Sequence, residues 1–156
     1  MPDGNVNPEF YTDQISSLIL DVKDRKEKGI NFFFNALDSE IAEDVTVCVV
    51  PSHLQNATND SGIAILAKRL AHDNRTDKVD FLLRGTSIDK LAHGGDRGEK
   101  IQRESIITNP QMTISGDIVL LVDDVTTSGS SLKACRDILM ENGAERVAMF
   151  ALGQSI

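Results

Sequence analysis

The stretch "VLLVDDVTTSGSS", Val119 to Ser131, runs from an apolar segment through two adjacent carboxylates into a string of small and hydroxylated residues. Neither a hydrophobic core nor an ordinary turn requires that order. Upstream, "DIVLLVD" (Asp117 to Asp123) is rich in the β-branched residues that favour strands. Downstream, Leu132, Cys135, Ile138 and Leu139 recur at helical spacing until "NG" at Asn142 and Gly143 supplies a helix stop. The acids therefore stand where a strand ends, and the hydroxylated residues where a helix begins.

Three further apolar runs read as strands: "VTVCVV" (Val45 to Val50), "VDFLL" (Val79 to Leu83) and "RVAMFA" (Arg146 to Ala151). Their continuous apolar character predicts strands covered on both faces. Between the first two, Ile63, Leu66, Ala67 and Leu70 repeat at helical spacing after a cap at Asp60 or Ser61. Strand and helix in alternation imply right-handed crossovers and a largely parallel sheet. The expected class is α/β, Rossmann-like, with helices on both faces. At 156 residues the chain fits one domain, divided into a helical N-terminal hood over 1–44 and a core over 45–156. The hood holds two helix-like segments, Asp13 to Lys28 and Ile30 to Glu43, expected to cover one end of the sheet. Within it, "KDRKEK" (Lys23 to Lys28) mixes both signs and reads as a solvated helix end, and "FFF" (Phe32 to Phe34) reads mainly as core material.

Composition narrows the functions. With 16 basic and 24 acidic residues the net charge is -8, which argues against nucleic acid as a partner but leaves room for a local anion site. No apolar run approaches the roughly 20 residues that span a bilayer, so no membrane partner is expected. The segment "MPDGNVNPEF" lacks the basic and apolar regions of a signal peptide, and a cytoplasmic location is expected. Cys48 and Cys135 lie in apolar patterns and read as small buried hydrophobes. The connection Arg84 to Arg103, rich in Gly and in charges of both signs, reads as a long irregular loop of the functional or mobile kind.

At the end of a parallel strand, Asp123 and Asp124 belong to the edge where open α/β sheets bind ligands. The following helix aims its free N–H groups, and a partial charge of about half a unit, at the same place. Thr126, Thr127, Ser128, Ser130 and Ser131 add hydroxyl donors, and Gly129 lets the backbone curl against a phosphate. Two anions beside a phosphate are costly unless each meets a donor, and the vicinal hydroxyls of a sugar supply such donors. The order implies a ribose 5-phosphate, its diol on the acids and its phosphate in the loop. The dinucleotide and nucleotide fingerprints G-x-G-x-x-G and G-x-x-x-x-G-K-[ST] are absent from the chain. A receiver-type acidic strand end does not fit, because too little chain follows Asp123. Helix capping and loop solvation account for one or two of these residues, not for eight in sequence.

These residues resemble the signature of the type I phosphoribosyltransferases, and "VVPSH", "FLLRG" and "KLAHGGDR" are similar to the competence-protein F (ComF)-like branch. The resemblance implies the type I phosphoribosyltransferase fold, phosphoribosyl pyrophosphate and a small-molecule acceptor as partners, and Mg²⁺ bound mainly through the substrate diphosphate. It implies transfer of ribose 5-phosphate to a base-like acceptor, or else binding of the same ligand by a non-catalytic sensor. Asp123 and Asp124 would hold the ribose hydroxyls and steady positive charge on the sugar, and Thr126 to Ser131 would hold the 5-phosphate. The turn "PSHLQ" matches the pyrophosphate loop in place, with Ser52 and His53 as contacts. Arg84 would be a basic pyrophosphate contact, and Arg97 would lie in a lid and neutralise the leaving group. His72 reads as a solvated helix-end residue, and His93 belongs to the same long loop. The chain ends without the aromatic platform of better-known relatives, so the acceptor pocket is expected from the hood, from Val125 or from a second subunit in a homodimer.

Overall fold

Successive side chains of the apolar runs enter two different buried clusters, and this dictates the architecture. In the computed structural model, which describes residues 8–55, 58–87, 98–126 and 128–154, the chain orders as α1 (Pro8–Lys23), α2 (Glu27–Leu37), β1 (Thr46–Val49), α3 (Gly62–Leu70), β2 (Thr76–Asp77), β3 (Leu82–Arg84), α4 (Glu99–Ser105), β4 (Ile106–Thr108), β5 (Ile118–Thr126), α5 (Ser130–Glu141) and β6 (Arg146–Gln154). A four-stranded sheet has the order β2-β1-β5-β6, and every neighbouring pair is parallel. Val47, Val49 and Val122 enter one buried cluster with Ile19, Val22, Ile30, Phe33 and Leu66, from α1, α2 and α3. Cys48, Val119 and Leu121 enter the other, with Leu132, Cys135 and Leu139 of α5. Helices thus cover both faces, and the two cysteines are free and buried.

The N-terminal helices do more than cover an end of the sheet, since their apolar faces share a cluster with β1 and α3. One close approach fixes their position. A Cβ on Gly62 would fall 1.5 Å from the Val22 carbonyl oxygen, so only a bare residue there lets the end of α1 sit on the start of α3. The cap expected at Asp60 or Ser61 is Ser61, whose side chain accepts from the Ala64 N–H at 3.3 Å.

The run Val79 to Leu83 is not a strand of the main sheet. Its neighbour-strand role falls to Thr76–Asp77, and Leu82–Arg84 pairs antiparallel with Ile106–Thr108 in a separate two-stranded sheet. The reason is a turn: the Phe81 N–H donates to the Lys78 carbonyl at 3.0 Å, and the Asp77 carboxylate accepts from the Val79 N–H at 3.0 Å. Asn59 then takes the place of a partner strand, its amide donating to the Val79 and Leu82 carbonyls at 2.7 and 2.8 Å. Val79 and Phe81 are apolar because they are buried, not because they are extended. The supposed irregular connection likewise contains α4 from Glu99 onward. The last strand differs as well, because as an edge strand it leaves Met149 and Phe150 42% and 37% exposed rather than covered on both faces.

Candidate functional site

Parallel pairing of β1 with β5 brings two loops to one sheet edge. The Val50 N–H donates to the Val122 carbonyl at 2.9 Å, so Pro51–Gln55 leaves β1 beside Asp123, whereas β5 runs on along β6 through the two acids to Thr126 before the chain turns into α5. Between them lies a cavity of about 230 Å³ whose lining includes His53, Gln102, Asp123, Thr126 and Ser128 to Ser131. A second cavity of about 200 Å³ adjoins it, walled by Lys23, Ser52, His53, Ser61, Asp123 and Asp124 among others. His53, Asp123, Val125 and Ser131 line both.

The loop is built as a helix start. Gly129 caps α5 with φ of +79°, a left-handed conformation that suits glycine, and no side chain caps the helix. Ser128 Oγ accepts from the Ser130 N–H at 3.3 Å and lies 2.7 Å from Ser130 Oγ. The first intrahelical bond runs from the Lys133 N–H to the Gly129 carbonyl at 2.9 Å, so the N–H groups of Gly129, Ser131 and Leu132 have no partner within the helix. That is an anion-binding geometry on the floor of the first cavity.

The acid doublet folds back on its own backbone. Asp123 accepts from the Asp124 N–H at 2.8 Å and Asp124 from the Val125 N–H at 2.6 Å. Burial, reinforced by repulsion from Asp124, pushes Asp123 up to about 7. Lys23, at the end of α1, places its ammonium 3.4 Å from Asp124. The doublet thus offers one carboxyl that changes protonation near neutrality and one beside a cation.

Arg84 occupies a different place from the one expected. It is 1% exposed, beneath the first loop rather than in either cavity. Its guanidinium donates to the Ser52 carbonyl at 2.7 Å, the Pro51 carbonyl at 3.0 Å, Gln102 Oε1 at 3.1 Å and the Ser105 hydroxyl. With four of its five N–H donors committed to protein acceptors, Arg84 shapes the loop instead of presenting a cation to a ligand, and burial lowers its pKa. Ser52 and His53 do reach the cavities, whereas Arg97, Thr127 and His93 lie outside the described residues. His72 sits away from the site in a cluster with Asp38.

Three lining residues escaped the sequence reading. Gln102 belongs to a helix hidden in a charged stretch, Ser61 carries in sequence only the mark of a cap, and Lys23 that of a solvated helix end. Only Ser61 carried a signal, since a cap that opens a helix also opens an anion site.

No protein-family model matches the chain, and no curated protein matches it. Among solved structures it is similar to a hypoxanthine phosphoribosyltransferase from Staphylococcus aureus, 14% identical, over 88% of this chain and 74% of that one, with a TM-score of 0.49. A purine phosphoribosyltransferase from Pyrococcus horikoshii Ot3 is 19% identical over 81% of this chain and 80% of its own, with a TM-score of 0.46. A phosphoribosylpyrophosphate synthetase from Mycobacterium smegmatis is 14% identical, and this chain spans 32% of its length at a TM-score of 0.40. Likenesses this distant say nothing of the reaction.

Proposed function

We propose that the protein binds phosphoribosyl pyrophosphate and transfers ribose 5-phosphate to a base-like acceptor, releasing pyrophosphate. The observation that carries this reading is the continuity of the two cavities through Asp123: an anion-binding helix start on one side, an acid doublet on the other. The 5-phosphate takes the N–H groups and hydroxyls of Ser128 to Ser131, and the ribose diol donates to Asp123 and Asp124. The bond from the anomeric carbon to the diphosphate breaks as the acceptor nitrogen bonds that carbon. Asp123, titrating near 7, suits uptake of the proton the acceptor releases. Among the described residues no three of His, Cys, Asp or Glu converge on a metal-sized site. The reading takes Mg²⁺ as carried mainly by the substrate's diphosphate oxygens, and the doublet supplies hard oxygen donors that suit such an ion nearby. Bound so, the ion would neutralise diphosphate charge.

One observation favours binding without turnover as a second reading: the expected pyrophosphate contact, Arg84, is sequestered under the loop. A single experiment separates the two. The protein is incubated with phosphoribosyl pyrophosphate, Mg²⁺ and a panel of bases, and both pyrophosphate release and thermal stabilisation are followed. Release with at least one base, lost in the Asp123→Ala/Asp124→Ala variant, supports transfer. Stabilisation without release from any base supports a sensor, and the absence of both overturns both readings.

A further inference from the structure

A third cleft, of about 290 Å³, opens between α1 and the ends of β5 and β6. Its walls are Ile19, Leu20 and Val125, and its polar groups come from Ser16, Lys23 and Gln154. It is joined to the second cavity through Lys23 and Val125, which line both. Its size lies near the lower end of ligand pockets, roughly 300 to 1,000 Å³, and its apolar walls suit one flat ring system. Among the described residues lining these three cavities, Lys23 is the only Lys or Arg.

Building on the phosphoribosyl reading above, we infer that Lys23 is a specificity-determining residue, selecting for the cleft between α1 and β6 a planar acceptor that carries an anionic oxygen. Two physical points support it. An ammonium has three N–H donors, and the 3.4 Å pair with Asp124 engages one of them in a residue whose side chain is 43% exposed. When a ribose diol takes the Asp124 oxygens, the ammonium shares its counter-ion, and a ring entering the cleft strips away water. A cation left so is costly unless the incoming ring supplies an acceptor. The net charge of -8 cannot supply this preference, because it repels anions at range; the selection has to come from a local group. Lys23 owes its place to Gly62, whose missing side chain lets the preceding Val22 pack on α3.

The test uses a complex that cannot turn over. The full chain is saturated with ribose 5-phosphate, which has no leaving group, and titrated calorimetrically with orotate or with uracil, two pyrimidines that differ by a carboxylate. A charge-assisted hydrogen bond predicts that orotate binds about ten- to hundredfold tighter than uracil. The ratio should fall to about one in Lys23→Gln and persist in Lys23→Arg, which restores the charge. Equal binding of the two pyrimidines by the natural chain, or a preference that survives in Lys23→Gln, overturns the inference. So does a Lys23→Gln variant that weakens ribose 5-phosphate and leaves the pyrimidine ratio intact, since Lys23 would then serve the sugar phosphate. Thermal stabilisation by ribose 5-phosphate is read separately. If it occurs while the pyrimidine preference is missing, the inference alone fails; if it does not occur, the phosphoribosyl reading falls and takes the inference with it.

Discussion

Replacing Arg84 by methionine tests whether a buried cation organises the site from below. The substitution keeps much of the apolar stem and deletes four hydrogen bonds, to the carbonyls of Pro51 and Ser52 and to Gln102 and Ser105. Gln102 and Ser105 are 2% and 0% exposed, so water does not replace the guanidinium there. Ser105 keeps its own bond to the Gln102 carbonyl at 2.8 Å, whereas the Gln102 side-chain oxygen is stranded. An orphaned buried polar group costs about 1 to 3 kcal/mol. The two loop carbonyls lose less because the loop can turn them towards solvent, and relief from desolvating a guanidinium offsets part of the total. The net expectation is a loss of about 3 kcal/mol, which for a chain of this size lowers the melting temperature by roughly 6 to 12 °C. Arg84→Lys should lose a comparable amount, because a point charge cannot serve a fork of four acceptors. Urea unfolding checks both variants. If Arg84→Met is destabilised by less than about 1 kcal/mol yet no longer binds phosphoribosyl pyrophosphate, the guanidinium is a ligand contact and the positioning role is wrong.

Asp123 holds its proton to about 7 in the folded chain against 3.8 for the free side chain. Between those values the native state binds a proton the unfolded state has lost, so this residue makes stability fall as pH rises through that window. Asp123→Asn should therefore flatten the decline in unfolding free energy from pH 4 to 8 while weakening ribose 5-phosphate; an unchanged slope would remove the burial argument. Gly129→Ala forces a left-handed conformation on a residue with a Cβ and should cost about 1 kcal/mol of stability, together with a measurable loss of phosphate affinity by calorimetry. His72 is raised above 6.5 by its hydrogen bond to Asp38. Its contribution is complete below 6.5 and lost as pH climbs through the folded value, so His72→Gln should show a shallower fall in melting temperature above neutrality than the natural chain.

Much of this was legible along the chain, and the reason is local. The strand at 46–49, the apolar part of the strand that begins at 118 and the helix capped at Asn142 follow from apolar period and turn residues, which act between near neighbours. The order of acids, hydroxyls and glycine in Val119 to Ser131 likewise put the doublet near a helix start, but the strand does not end at the acids: Val125 and Thr126 still pair with Gly153 and Gln154 of β6. Where an apolar run served burial without extension, as at Val79 to Phe81, periodicity misled, because a side chain from Asn59 supplied the hydrogen bonds a strand would have found. Tertiary packing alone decided what each cation does. Arg84 looked like a ligand contact but is enclosed by residues from β1's loop and α4; Lys23 looked solvated but is carried to Asp124 by the meeting of Val22 with Gly62. Charge and residue type are properties of a position in the chain, whereas solvent access and partners belong to segments far apart in sequence, and only the packed core brings those together.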